Sequence, residues 1–312
     1  MPDRVSSPRP GGPGPGTAVP GARERAGGGA RLPLEELNVL WFQVTGLLCN
    51  LECAHCLVDS SPRNESMAFL SRETVRTYLR EAEALGVKEI YFTGGEPFLH
   101  REMPGILEDT LASFPATVLT NGTLITERVA EELAGLAARS RYSLEIRVSL
   151  DHPDPERNDA LRGAGTHAKA VRALLRLERA GLLPIVTATE YLLGGPAAEG
   201  GAYARFRDML LAAGLRRPRL KIIPVFHTGK IEDPSEGGAI GEEMLRGFDP
   251  LLLQCASARV VAADGIYACP ILVGQRVALT GRGSLVEGLG AARLAHHACR
   301  TCYETGMTCA NS

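Results

Sequence analysis

The 312-residue chain has no apolar run approaching the ~18 residues that a membrane-spanning helix needs, so no membrane association is expected. Its start has no basic segment followed by an apolar stretch. No secretory signal is read there, and the expected compartment is the cytoplasm. Neither charge sign is in excess: 34 Lys and Arg stand against 36 Asp and Glu, a net charge of −2. Without a basic stripe, a nucleic-acid backbone is not an expected partner. Finally, there is no cysteine between Cys56 and Cys255. A secreted disulfide framework spreads its pairs through a short chain, and this distribution does not.

The eight cysteines form two groups: Cys49, Cys53 and Cys56, then Cys255, Cys269, Cys299, Cys302 and Cys309. Clusters at both ends of a chain without an export signal favour metal ligation, with zinc an alternative for the later group. Residues 1–30 contain 8 Gly and 6 Pro and almost no large apolar side chain. Such a segment cannot bury enough surface to offset its ordering entropy. A disordered tail is expected over 1–33.

From Leu34 onward, strand and helix patterns alternate. β-branched and aromatic residues mark strands at 37–46, 87–92, 116–120, 143–150, 184–189 and 220–226. In 143–150, Leu144, Ile146, Val148 and Leu150 alternate with polar neighbours. Ser71 is a candidate cap for a helix over 71–86 that carries Val75, Tyr78, Leu79, Ala82 and Leu85 at helical spacing and stops at Gly86. Further helices are read at 100–111, after Thr126, at 166–180 and at 203–213. Six such units predict an α/β fold, a partial (β/α)6 TIM-like barrel over 34–235. After residue 227 the pattern changes, and an appendage is bounded at 236–312. A hairpin with an Asp264-Gly265 turn and a Gly-rich, cysteine-rich segment predict a small α+β appendage with a thin apolar core.

In parallel α/β folds the chemistry sits at the carboxyl ends of strands. The cysteine loop, then TGGEP, TNGT, SLDH and HTGK, each fall at such an end. A 4Fe–4S cluster is normally held by four thiolates, so three leave one iron open to a ligand. A zinc knuckle with His55 as fourth ligand is the competing reading, although structural zinc sites favour shorter, paired spacings.

Cys49-x3-Cys53-x-His55-Cys56, together with Gly94-Gly95-Glu96-Pro97 and with Ser149 and Asp151, resembles the radical S-adenosylmethionine (SAM) superfamily over about residues 37–230. The resemblance implies a 4Fe–4S cluster whose open iron chelates SAM. Cleavage of SAM by an electron from a donor such as flavodoxin or ferredoxin then yields a 5′-deoxyadenosyl radical that takes a substrate hydrogen. It further implies that Gly94, Gly95, Glu96 and Pro97 position the methionine amino group and that His55 packs near the adenine. Asn121, Ser149 and Asp151 become candidate SAM contacts. The bland readings are a plain turn for the Gly pair, a solvent-facing loop for His55, and helix caps for Asn121 and Ser149.

The second group resembles the SPASM region or its shortened form, Twitch. Five cysteines are too few for the seven of a full SPASM, and Gly265 stands one residue closer to Cys269 than in that pattern. One auxiliary 4Fe–4S cluster is therefore expected, with Cys255, Cys269, Cys299 and Cys302 as leading ligands. Cys309 is then a spare thiol, a candidate hydrogen donor or an inert leftover; if Cys309 is instead a metal ligand, Cys255 or Cys269 is the free one. The expected enzyme is an oxidoreductase or epimerase of a sugar- or aminocyclitol-like small molecule. Modification of a ribosomally made peptide is the first alternative, and a non-catalytic iron–sulfur or zinc sensor the second. Arg147, Glu190 and Lys230 near strand ends are candidate pocket residues or ordinary ion pairs.

Overall fold

The computed structural model describes residues 29–193 and 201–306. Its strands, in chain order, are β1 (Arg31–Leu32), β2 (Val39–Gln43), β3 (Glu89–Thr93), β4 (Ala116–Thr120), β5 (Leu144–Ser149), β6 (Ile185–Thr189), β7 (Leu220–Ile223), β8 (Ala258–Ala262), β9 (Gly265–Tyr267), β10 (Leu279–Gly281) and β11 (Ala292–Arg293). The helices are α1 (Arg72–Ala84), α2 (Met103–Leu111), α3 (Glu127–Arg139), α4 (Pro155–Arg162), α5 (Thr166–Arg179), α6 (Gly201–Ala212) and α7 (Cys299–Thr305).

Strands β2 to β7 are parallel, and neighbours in sequence are neighbours in space. This is the order that right-handed β/α crossovers produce. The two faces of each strand differ. Leu40 and Phe42, Ile90 and Phe92, and Ile146 and Val148 join the core shared with the helices. Trp41 and Tyr91 point the other way, with ring centroids 4.4 Å apart. The polar face of β5 is not a solvent face. Arg147 is 1% exposed and, with Ser149, lines the inner cavity. Side chains from all six parallel strands line that cavity, so the sheet curves around it. The array stays open among the described residues, with β7 at one edge.

Helix starts follow the sequence signals. Ser71 Oγ accepts from Thr74 N at 3.0 Å, and Thr126 Oγ1 accepts from Val129 N at 3.2 Å. α4 lies outside the helices read from sequence, although Asp154-Pro155-Glu156 carries a start signal. Asp154 caps Arg157 N at 3.0 Å, and Pro155 takes the first helical position.

Three boundaries differ from expectation. Residues 31–32 are not tail, because they pair antiparallel with Ala292–Arg293. The hairpin turn is Ala263-Asp264, and Gly265 is already the first residue of β9, paired with Ala262. The hairpin also does not stand on a core of its own. β8 lies parallel to β2, with Val39 opposite Ala258, so β8, β9 and β10 extend the barrel sheet to nine strands. Val260 and Tyr267 share an apolar cluster with Trp41 and Tyr91. The thin core inferred from the C-terminal sequence is completed by the barrel.

Candidate cofactor and substrate site

The loop from β2 to α1 carries Cys49, Cys53 and Cys56, and three other strand ends hold it in place. From the β3 end, Gly95 N donates to Gly46 O at 3.0 Å and Glu96 N to Leu48 O at 3.1 Å. On the β5 side, Ala54 N donates to Leu161 O of α4 at 2.9 Å. Beyond β7, Lys230 N donates to Cys56 O at 2.9 Å. The three thiols line one cavity of about 230 Å³. Cys49 Sγ accepts from Leu51 N at 3.4 Å, and Cys56 Sγ accepts from Ser60 N at 3.2 Å. Backbone N–H groups aimed at sulfur favour thiolate. Burial works against it, pushing the Cys49 thiol up to about 12 and raising Cys53 despite Arg162. A cationic metal core is what makes three such thiols ionise together.

Gly94 and Gly95 are more than a turn. A Cβ on Gly95 would lie 2.0 Å from Leu48 O, and one on Gly94 2.2 Å from Thr45 Oγ1 at a backbone φ of +156°. The pair lets this turn sit directly on the backbone of the cysteine loop. Glu96 is fully buried but does not line the cavity, and neither does Pro97. The Glu96 carboxylate accepts from Thr120 Oγ1 and Asn121 N, both at 2.7 Å, and from Phe98 N at 3.1 Å. Burial raises its pKa against these bonds. Its role is to fix the end of β4, from which Asn121 reaches Asn50 Oδ1 at 2.8 Å and Cys49 Sγ at 3.7 Å.

Asp151, 0% exposed, organises the opposite wall. Its Oδ2 meets His55 Nε2 at 3.0 Å and also takes a very short bond from Arg162 Nε. Its Oδ1 accepts from Thr189 N at 2.8 Å and Thr189 Oγ1 at 3.0 Å. Burial alone would raise this carboxyl. The Arg162 charge, His55 and the Thr189 N–H outweigh it and hold Asp151 well below the ordinary range. His55 is therefore a buried, aimed ring rather than a solvent-facing loop histidine.

His55, Gly94, Gly95, Asn121, Ser149 and Asp151 come together around one cavity, and Arg147 joins them. Glu190 and Lys230 do not line it; Lys230 Nζ pairs with Glu52 at 3.4 Å. Arg162 was not among the residues singled out in the sequence. Its signal is the end of the missed helix α4. Four buried polar atoms in the lining have no hydrogen-bond partner: Trp41 Nε1, His55 Nδ1, Ser60 Oγ and Thr187 Oγ1. Orphaned groups at such a rate are what a cavity for a polar ligand leaves behind. The donor set and the cavity fit a three-thiolate cluster with a nucleoside beside it.

Cys255, Cys269, Cys299 and Cys302 line a second, mostly apolar cavity. Burial pushes Cys299 up to about 12 and raises Cys255 and Cys269 as well. None of the seven described cysteines is disulfide-bonded. Four thiols around one space are the complete donor set of a closed cluster, so the residues fit that group too. Cys309 lies outside the described residues, as does most of the expected tail. Ile271, two residues after Cys269, lines both cavities and is part of the wall between them.

An open parallel barrel with three thiols at its mouth and a capping turn from the second parallel strand is the arrangement that the resemblance to the radical SAM superfamily implies. Residues 44–197 match the family model described as the Radical SAM superfamily. That stretch of the chain is a Radical SAM domain. The mycofactocin maturase MftC of Mycolicibacterium smegmatis is 36% identical over 43% of this chain and 32% of its own length. A probable GTP 3′,8-cyclase of Methanosarcina mazei is 33% identical over 46% and 44%. The antilisterial bacteriocin subtilosin biosynthesis protein AlbA of Bacillus subtilis is 32% identical over 43% and 29%. Each match spans less than half of the relative. The structure of anSMEcpe with bound AdoMet and Cp18Cys peptide superposes with a TM-score of 0.57 at 19% identity, covering 80% of this chain and 79% of that one. At that identity the likeness is one of fold. Among the described residues, no helix is long and apolar enough to cross a membrane.

Proposed function

We propose that this chain is a peptide-modifying radical SAM enzyme with a second iron–sulfur site. The observation that supports the second site is that Ile271 lines both the three-cysteine cavity and the four-cysteine cavity. When bound, the first cluster and SAM supply a 5′-deoxyadenosyl radical able to abstract a substrate hydrogen. Cys49, Cys53 and Cys56 would hold that cluster. Asp151 fixes the His55 ring, Glu96 fixes the end of β4 beside Asn121, and the buried lining excludes water from the reacting centre. Cys255, Cys269, Cys299 and Cys302 would hold the auxiliary cluster, placed to accept or relay an electron.

The expected sugar- or aminocyclitol-like substrate draws no support from the relatives. A bacteriocin biosynthesis protein and a peptide-bound fold neighbour favour the peptide alternative. The cyclase relative supports a second reading, a nucleotide substrate. The test is anaerobic reconstitution with reductant and SAM, with 5′-deoxyadenosine and substrate mass followed together. A short peptide encoded beside this chain should change mass or stereochemistry in step with 5′-deoxyadenosine release. Cys53→Ala should abolish cleavage; Cys302→Ala should keep some uncoupled cleavage and lose turnover. Cleavage coupled to GTP but to no peptide sinks the peptide reading. An iron-loaded protein that never releases 5′-deoxyadenosine favours the sensor.

A further inference from the structure

Arg259 lies on β8 and is 0% exposed. Its Nε donates to Gly288 O at 2.7 Å, one terminal nitrogen to Cys255 O at 2.8 Å and Ala258 O at 2.6 Å, and the other to Gly290 O at 2.6 Å. Among the described residues, every acceptor is a backbone carbonyl. These bonds satisfy the guanidinium as a hydrogen-bond donor but not as a charge, because a carbonyl is a dipole and carries no counter-charge. A guanidinium keeps its proton in a protein at neutral pH, so the charge is fixed.

A buried, unneutralised cation is costly and is retained where something compensates it. Here the compensation is at hand. Cys255, whose carbonyl Arg259 grips, lines the four-cysteine cavity. An iron–sulfur group held by four thiolates carries net negative charge, and one more unit after it takes an electron. A fixed cation beside it stabilises the reduced form more than the oxidised form, which raises the potential.

We propose that Arg259 is the counter-charge of the second iron–sulfur site and holds its reduction potential up. The proposal rests on the reading of that cavity as a cluster site and assigns a tuning role to a residue outside the ligand set. Arg259 is a positioning residue, not a catalytic one. Its effect is electrostatic, so the readout is a potential.

The experiment is a redox titration of the anaerobically reconstituted full chain, followed by electron paramagnetic resonance, for wild type, R259Q and R259K. R259Q should make reduction of the second cluster about tenfold less favourable, a fall of about 59 mV for one electron. R259K keeps the charge and should move the potential less than half as far. If R259Q takes up no second cluster, R259K decides: loading near the wild-type potential supports the proposal, and failure to load overturns it, because charge is then not what the site needs. An R259Q protein with both clusters and an unmoved potential overturns the proposal alone. A wild-type protein that binds about four irons rather than about eight overturns it together with the second-site reading.

Discussion

Asp151 has a fully buried carboxylate with its partners on three sides, on a loop, on a helix end and on a strand end. Removing its charge leaves Arg162, whose side chain is only 12% exposed, without its carboxylate partner. Asp151→Asn should therefore destabilise the fold by about 3 kcal/mol, read by urea denaturation at pH 7. The folded-state pKa is depressed, so the stabilisation is present above the unfolded carboxyl value near ~4 and is lost as pH falls below it. Asp151 was legible in SLDH because it stands at a strand end. Arg162 was not, because only folding brings it to Asp151. Glu96 shows the reverse case. Its position in TGGEP was legible, but its job of holding the next strand end depends on contacts that no local pattern records.

At the scale of elements, the TGGEP turn and the cysteine loop act as one unit because two glycines let their backbones touch. Gly95→Ala places a methyl group against Leu48 O, so one of the two must move. The expected result is a loss of at least about 2 kcal/mol in stability and of most iron bound by the first group, measured by thermal unfolding and iron analysis. Helices α1 and α2 are clasped by Asp109, which accepts paired bonds from both Arg72 and Arg76 at 2.6–2.9 Å. Burial opposes ionisation, yet the two guanidinium groups hold the Asp109 carboxyl down at about 2. Solvent screens the exposed Arg76, so the clasp is worth no more than about 1 kcal/mol above pH ~4 and disappears as pH falls toward 2. The stability gap between wild type and Asp109→Asn, followed by denaturation across this window, should close on the acid side. Most helices and strands were legible because apolar spacing and caps are local signals. α4 was missed although its cap and proline were present, because its eight residues carry little apolar periodicity.

At the scale of the whole molecule, the C-terminal region completes the barrel sheet instead of hanging from it. β2 is flanked by β3 and β8, so deleting residues 236–312 would bare the whole edge of a strand that is buried along its length. The shortened chain should be insoluble or aggregated when expressed, as sedimentation would show, because a long apolar edge invites pairing with other chains. A monomeric, SAM-binding product of residues 29–235 would contradict this. The same continuity leaves Ile271 lining both the first cavity and the cavity that the second thiol group lines.

The sequence by itself determined the alternation of strands and helices and the three thiols at a strand end. Spacing and periodicity are properties of neighbours along the chain. Only the tertiary structure decided that polar β5 side chains face a lumen, that Asp151 meets Arg162, and that β8 joins β2. Each of these depends on which surfaces meet after the chain has folded back on itself, from 11 residues between Asp151 and Arg162 to the far longer span between β2 and β8.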